Sequence, residues 1–163
     1  MFTIDRVTSR DLTELYGLLE ELAAYERLQP PDADARKRLE QDILGDSPRL
    51  DAFLLRSDGV VAGYLLLLAT YSSFRAQPTL YIEDIYLREE FRRMGLGSKT
   101  LRFVLEEARR RSCGRIEWQV LDWNTPAVSF YEKIGAERMS GWSTFRVSQE
   151  QFDDMDSRLT TEG

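Results

Sequence analysis

Arg92, Gly95 and Gly97, spaced as R-x-x-G-x-G and followed by Ser98, carry the clearest chemical signal in this chain. They follow an alternating, aromatic-rich run, Leu80-Tyr81-Ile82-Glu83-Asp84-Ile85-Tyr86-Leu87. They precede Leu101, Val104, Leu105 and Ala108, which are spaced as one face of a helix. A strand that passes through a glycine loop into a helix aims unpaired N–H groups and the positive end of the helix dipole at one point. Such a point suits an anion, above all a phosphate or pyrophosphate. The place of a third glycine is held by Thr100, and no Gly-Lys-Ser/Thr follows, so neither the dinucleotide fingerprint nor a P-loop is present. Taken alone, two glycines could equally cap or turn the chain before an ordinary helix.

Composition narrows the chemistry further. The 163 residues include 22 basic and 28 acidic ones, a net charge of −6, which disfavours nucleic acid and anionic membranes and suits cationic substrates. There is no histidine, so a Ser-His-Asp or Cys-His centre is excluded and a conventional zinc site is disfavoured. Cys113 is the one cysteine and reads as a packing residue. The charged start at Asp5 and Arg6 does not resemble a signal peptide, and the apolar run 60–69 is too short to cross a bilayer. The expectation is a single cytoplasmic domain over residues 1–163.

The elements that must position these residues read in order as follows. Strands are expected at 2–7, 51–56, 60–67 (ending by Tyr71), 80–87, 115–121 and 142–147. Helices are expected after Asp11, at 32–44, after the glycine loop, at 127–134 and after Ser148. Residues 72–78 read as a loop. As successive strand residues, Glu83 and Asp84 are expected on opposite faces. The mixture of hairpins with one strand-helix-strand unit predicts an α/β (α+β mixed) fold, a mixed and mostly antiparallel sheet with helices on both faces.

Two further stretches join the glycine loop. Asp122-Trp123-Asn124-Thr125-Pro126-Ala127 leads into Phe130-Tyr131 and closes at Gly135-Ala136. Together with L-Y-I-E-D-I-Y and R-x-x-G-x-G-S, this resembles the GNAT N-acetyltransferase superfamily. Within it, the chain resembles the spermidine/spermine N-acetyltransferase branch, and Gly97-Ser98-Lys99 and Val120-Leu121-Asp122-Trp123-Asn124 resemble its thialysine acetyltransferases. The resemblance is strong from residue 80 to 136 and weak before residue 60.

The resemblance implies a GNAT fold with six to seven strands, a homodimer, and transfer of an acetyl group from acetyl-CoA to a primary amine. The amine would attack directly, with both substrates bound together. Such transfer needs a neutral amine, although free amines near pKa ~10 are mostly charged at pH 7, and a proton for the departing thiolate. Glu83 is expected to receive the amine proton through water, and the Tyr131 phenol to protonate the thiolate. The family pattern puts the pantetheine arm on backbone groups of Ile85 and Leu87. It puts the pyrophosphate on Arg93, Gly95, Leu96, Gly97 and Ser98 with Arg92 nearby, and adds Asn124 and Ala127 to the cofactor site. Tyr25, Glu26 and Asp84 match positions that hold the cationic substrate.

Ser72 and Ser140 stand where polyamine enzymes carry acids, and Arg93 stands where the branch usually has Gly. Two missing carboxylates favour a short amine, such as a lysine-like amino acid or a diamine, over a long polycation. The alternatives are a non-catalytic acyl-CoA-binding sensor, which would need neither Glu83 nor Tyr131, and a protein-lysine acetyltransferase.

Overall fold

The computed structural model describes residues 1–161. They form two compact units, residues 1–119 and a second unit from Val120 onward. The first unit runs β1 (Phe2–Arg6), α1 (Leu12–Glu26), α2 (Ala33–Leu44), β2 (Asp51–Ser57), β3 (Val60–Ser72), β4 (Gln77–Leu87), α3 (Leu96–Arg110) and β5 (Arg115–Trp118). The strands lie in sequence order, antiparallel except for the parallel β4–β5 pair. The second unit carries α4 (Thr125–Lys133) and α5 (Phe152–Thr161).

Alternation along β2 and β3 feeds two cores. Ala52 and Leu54 pair with Leu66 and Tyr64, and this face packs with Leu15 and Leu18 of α1, Ile43 of α2 and Val7. Phe53 points the other way and meets Phe103 of α3 edge-on, with ring centroids 5.0 Å apart. Helices thus cover both faces, as the mixed pattern predicts. Each fully buried leucine adds about 1.5–3 kcal/mol relative to an exposed one.

Helix ends follow local chemistry. The Asp32 carboxylate accepts the Ala35 N–H at 2.8 Å and caps α2. Asp11 precedes α1 as expected, but its carboxylate accepts from the Thr8 hydroxyl and N–H and from Arg56 instead of the helix. α1 ends where Arg27 turns left-handed (φ 60°) and its N–H returns to Ala23 and Ala24, which places Tyr25 and Glu26 in the last turn.

Three expectations change. The described residues contain five strands, not six to seven, because residues 142–147 alternate in sequence but join no ladder. A strand pattern becomes a strand only when its N–H and C=O groups find a partner. β4 begins at Gln77 because Pro78 and Thr79 pair with Tyr71 and Thr70, shortening the expected 72–78 loop to a tight turn. β5 stops at Trp118, since its partner on β4 is bulged just after Ile82.

Between Ile82–Leu67 and Asp84–Leu66 the β3–β4 register shifts, leaving Glu83 as an extra residue. Leu66 and Leu67 face opposite ways, so Ile82 and Asp84, two residues apart, also do. The expectation that strict alternation separates Glu83 from Asp84 therefore loses its basis.

Near the same pair of strands, a Cβ on Gly63 would lie 2.0 Å from the Tyr86 carbonyl oxygen. Gly63→Ala is expected to force the strands apart and destabilise the fold by about 1–3 kcal/mol, the usual range for overpacking. At about 2–4 °C per kcal/mol for a chain of this size, thermal melting should show it. An unchanged melting temperature would mean that β3 and β4 separate there without cost.

Candidate functional site

The open edge of β4 comes first. β5 pairs only with Thr79 to Ile82, so among the described residues no strand pairs with the outer edge of 83–87. The Arg88 N–H donates to Ala62 O at 2.9 Å, toward β3. Backbone groups of alternate residues point to alternate sides, so Tyr86 also turns toward β3, and Ile85 and Leu87 turn outward. The Leu87 carbonyl accepts the Arg92 Nε at 2.8 Å. The two residues expected to meet an extended cofactor arm thus hold the free edge.

Past Leu87 the chain makes a short 3₁₀ turn at Glu89–Phe91 and reaches the glycine loop. Arg93 (φ 61°) and Gly95 (φ 76°) both adopt the left-handed conformation, which bends the loop into the start of α3. Intrahelical bonding begins with the Lys99 N–H to Gly95 O at 3.2 Å, leaving the N–H groups of Leu96, Gly97 and Ser98 as the unpaired first turn. That turn holds no acidic residue, so no side chain neutralises its dipole. Thr100, at the absent third glycine, is fully buried and donates its hydroxyl to Leu96 O, a structural role. The Arg92 guanidinium turns back from this loop, 5.2 Å from the Tyr25 ring centroid and 5.8 Å from that of Tyr86.

Arg92 therefore touches a second cluster, acidic and aromatic. Arg88 forks onto both Glu21 oxygens at 2.8–3.1 Å and also donates to Val61 O, and the Tyr86 hydroxyl donates to Glu21 at 3.3 Å. These bonds hold α1 against the end of β4 and so fix where Tyr25 and Glu26 stand. The Tyr64 hydroxyl donates to Asp84 Oδ2 at 3.0 Å.

Burial pushes the Asp84 carboxyl up to about 6; the Tyr64 bond opposes this, and the charges of Glu83 and Glu26 add to it. Burial also raises Glu26. Tyr64 is raised far, by burial and then by the Asp84 charge, and remains a donor. Glu83 itself is exposed to solvent. Tyr25, Glu26, Glu83 and Asp84 are thus brought together with Arg92, and the structure adds Glu21, Tyr64 and Tyr86. The sequence carried one hint of Tyr64, since a tyrosine inside a wholly apolar run must find its hydroxyl a partner.

In the second unit, Asn124 precedes α4 and its carbonyl accepts the N–H groups of Ala127 and Val128 at 3.1 and 3.0 Å. Pro126 occupies the first turn, where a missing N–H is harmless. Tyr131 comes seven residues after Asn124, about two turns on and so on the same helical face. Its ring lies 5.5 Å from that of Phe130, and burial raises its pKa, so the phenol keeps its proton at neutral pH. Gly135 (φ 87°) follows the helix.

Comparison with known proteins places the chain in a family. Residues 13–136 match the model of the acetyltransferase (GNAT) family, a range that runs through both units. The chain is 41% identical over 109 residues to L-ornithine N5-acetyltransferase NATA1 of Arabidopsis thaliana, covering 66% of this chain and 48% of that one, about half of that relative's length. It is 34% identical over 151 residues to the thialysine N-epsilon-acetyltransferase of Bos taurus, covering 86% of this chain and 88% of that one. A probable acetyltransferase of known crystal structure shares the fold, with a TM-score of 0.76 at 22% identity over 90% of this chain and 97% of the other.

The left-handed Arg93 generates a stability prediction. A non-glycine residue in this conformation costs about 1–2 kcal/mol. A glycine there loses about 0.5–1 kcal/mol through unfolded-state entropy. Arg93→Gly should therefore melt at the wild-type temperature or a few degrees above it. A clear drop would show that the arginine side chain holds the loop.

Proposed function

Since the chain belongs to the acetyltransferase (GNAT) family, whose members depend on acetyl-CoA, we propose that it acetylates a primary amine of a small cation, a diamino acid or short diamine. The observation that carries this reading is the adjacency on β4. An open backbone edge and an uncapped helix start, suited to an extended phosphate-bearing thioester, border a cluster of carboxylates and tyrosines suited to an ammonium group. The curated relatives named for ornithine and thialysine support an amino-acid-sized acceptor. Ser72 and Ser140 support it too, as they supply no charge for a second distant amine.

In this reading Ile85 and Leu87 bind the pantetheine arm through their backbone. Asn124 and Ala127 steady it, and the loop N–H groups of Arg93, Gly95, Leu96, Gly97 and Ser98 hold the pyrophosphate, with Arg92 at the loop's entry. Acetyl-CoA supplies the activated acetyl group. Asp84, Glu26 and Tyr25 hold the acceptor as its ammonium form. Glu83, exposed at the bulge, takes the proton through water and frees the nucleophile. Holding both reactants together supplies orientation. The Tyr131 phenol, kept protonated by burial, gives its proton to the departing thiolate. The same reading takes residues 1–163 as one catalytic domain, active as a cytoplasmic homodimer on free amines and not on nucleic acid, in keeping with a net charge of −6. Among the described residues no helix is long and apolar enough to cross a membrane.

The test follows thiol release from acetyl-CoA against thialysine, lysine, ornithine, diaminopropane, putrescine, spermidine and a basic peptide. Release is expected with one or more short amines, and Glu83→Gln and Tyr131→Phe should each lower kcat about 10²-fold or more, the usual scale of acid–base contributions. Tight acetyl-CoA binding without release would instead favour a sensor, and release with the peptide alone a protein-lysine acetyltransferase.

A pH dependence follows from Asp84. Its carboxyl is raised to about 6 and must be ionised to hold an ammonium group, while the acceptor stays charged throughout this range. Acceptor affinity should be full above pH 7 and fall about tenfold per pH unit below 6, whereas an ordinary carboxylate would keep it down to about pH 4. A flat KM for the amine between pH 7 and 5 would remove Asp84 from acceptor binding.

A further inference from the structure

We propose that Tyr64 is the positioning residue of the acceptor site, aiming and charging the Asp84 carboxylate through the hydrogen bond between its hydroxyl and Oδ2. The proposal rests on the amine-acetylating reading above and adds to it a residue whose side chain is fully buried.

Three observations carry it. First, the bulge turns Asp84 to the face of Leu66, which is also the face of Tyr64 and Tyr86; Tyr64 pairs directly with Tyr86, their rings 6.2 Å apart. Second, the Tyr64 hydroxyl has one proton and gives it to Oδ2 at 3.0 Å, which fixes the carboxylate's rotation and leaves Oδ1 for a cation. Third, the charges of Glu83 from β4 and Glu26 from α1 act on the Asp84 carboxyl, with Tyr86 on the same face of the sheet and Tyr25 in the last turn of α1. The two carboxylates oppose ionisation of Asp84, and the hydrogen bond from Tyr64 favours it. Arg92 and Arg88 both act on Tyr86 and both are engaged, Arg92 by the Leu87 carbonyl and the rings of Tyr25 and Tyr86, Arg88 by Glu21 and the Val61 carbonyl. A buried carboxylate between two others needs such a donor to stay charged near neutral pH.

The decisive variant is Tyr64→Phe, which keeps the ring in the core and removes one oxygen. Carboxyl-carbon NMR, with Asp84 assigned by its loss in Asp84→Asn, should show a wild-type midpoint near 6 that moves up by about one to two pH units in the variant. That is the size expected for one hydrogen bond to a charged group. The KM for the amine at pH 7 should rise about two- to tenfold, as that shift implies, and its acidic limb should move with the carboxyl midpoint. The KM for acetyl-CoA and kcat at saturating amine should stay within about twofold. In an Asp84→Asn background, Tyr64→Phe should change amine KM less than twofold.

An unmoved midpoint, or two effects that simply multiply, would overturn the proposal. If no amine is a substrate, the carboxyl titration still decides it, so its failure is separable from that of the enzymatic reading. If Tyr64→Phe does not fold, the wild-type protein decides: the Tyr64 hydroxyl proton should shift with a midpoint near pH 6 and lose that titration in Asp84→Asn, and a hydroxyl signal blind to pH would overturn the proposal.

Discussion

The single extra residue on β4 governs the rest of the site. Had the pairing continued regularly from Ile82 and Leu67, Glu83 would face Leu66 and Asp84 would face Leu65, on the side of the sheet that packs against α3. A carboxylate there would lie in apolar surroundings without a donor, at a cost of several kcal/mol unless it took up a proton. The inserted Glu83 moves Asp84 to the opposite face, where Tyr64 waits. Bulges also bend a strand and end its pairing, and β5 lets go of β4 at Ile82, one residue before the insertion. One local irregularity therefore creates both an acid that can hold a cation and a backbone edge that can receive an extended ligand.

Charges of both signs crowd this stretch. At and just after the bulge stand Glu83 and Asp84, with Glu26 acting on Asp84 from α1; beyond Leu87 come Arg88, Glu89, Glu90, Arg92 and Arg93, then the unneutralised start of α3. Glu21 and Arg88 join the two sides by a forked ion pair that is partly exposed, so its contribution to stability is modest and its value lies in register. It fixes the last turn of α1, and hence Tyr25 and Glu26, relative to β4. The first turn of α3 carries no acid, so the positive end of its dipole stays open although the chain as a whole has a charge of −6.

Much of this was legible in the chain. The period-two runs located β1 to β4, the helical spacing located α1 and α3, and the glycine loop fell between β4 and α3 as its residues require. The register was not legible, because a bulge is a property of two strands and leaves no mark in the sequence of one. For that reason alternation alone does not fix how Glu83 and Asp84 face, β5 ends three residues before the alternating pattern 115–121 does, and nothing in the run 60–69 shows which partner the Tyr64 hydroxyl finds. Residues 142–147 show the same limit from the other side, an alternating pattern without a ladder. Candidate residues named by motif could be placed on their elements, but their hydrogen-bond partners emerged only from pairing.

Arg92 shows how a motif position can do more than its motif suggests. As the first residue of R-x-x-G-x-G it stands at the entrance to the anion loop, yet its Nε bonds the Leu87 carbonyl and its guanidinium lies beside Tyr25 and Tyr86. Cation–ring contacts of this kind are worth about 0.5–2 kcal/mol each, enough to bias a side chain but not to lock it. The Leu87 carbonyl belongs to the free edge of β4, Tyr25 to the last turn of α1, and Tyr86 to the strand that carries Asp84. One side chain therefore touches the free edge of β4, the last turn of α1 and the strand that carries Asp84 at once. Displacing Arg92 therefore costs contacts to all three elements, which couples the first residue of the glycine loop to β4 and α1.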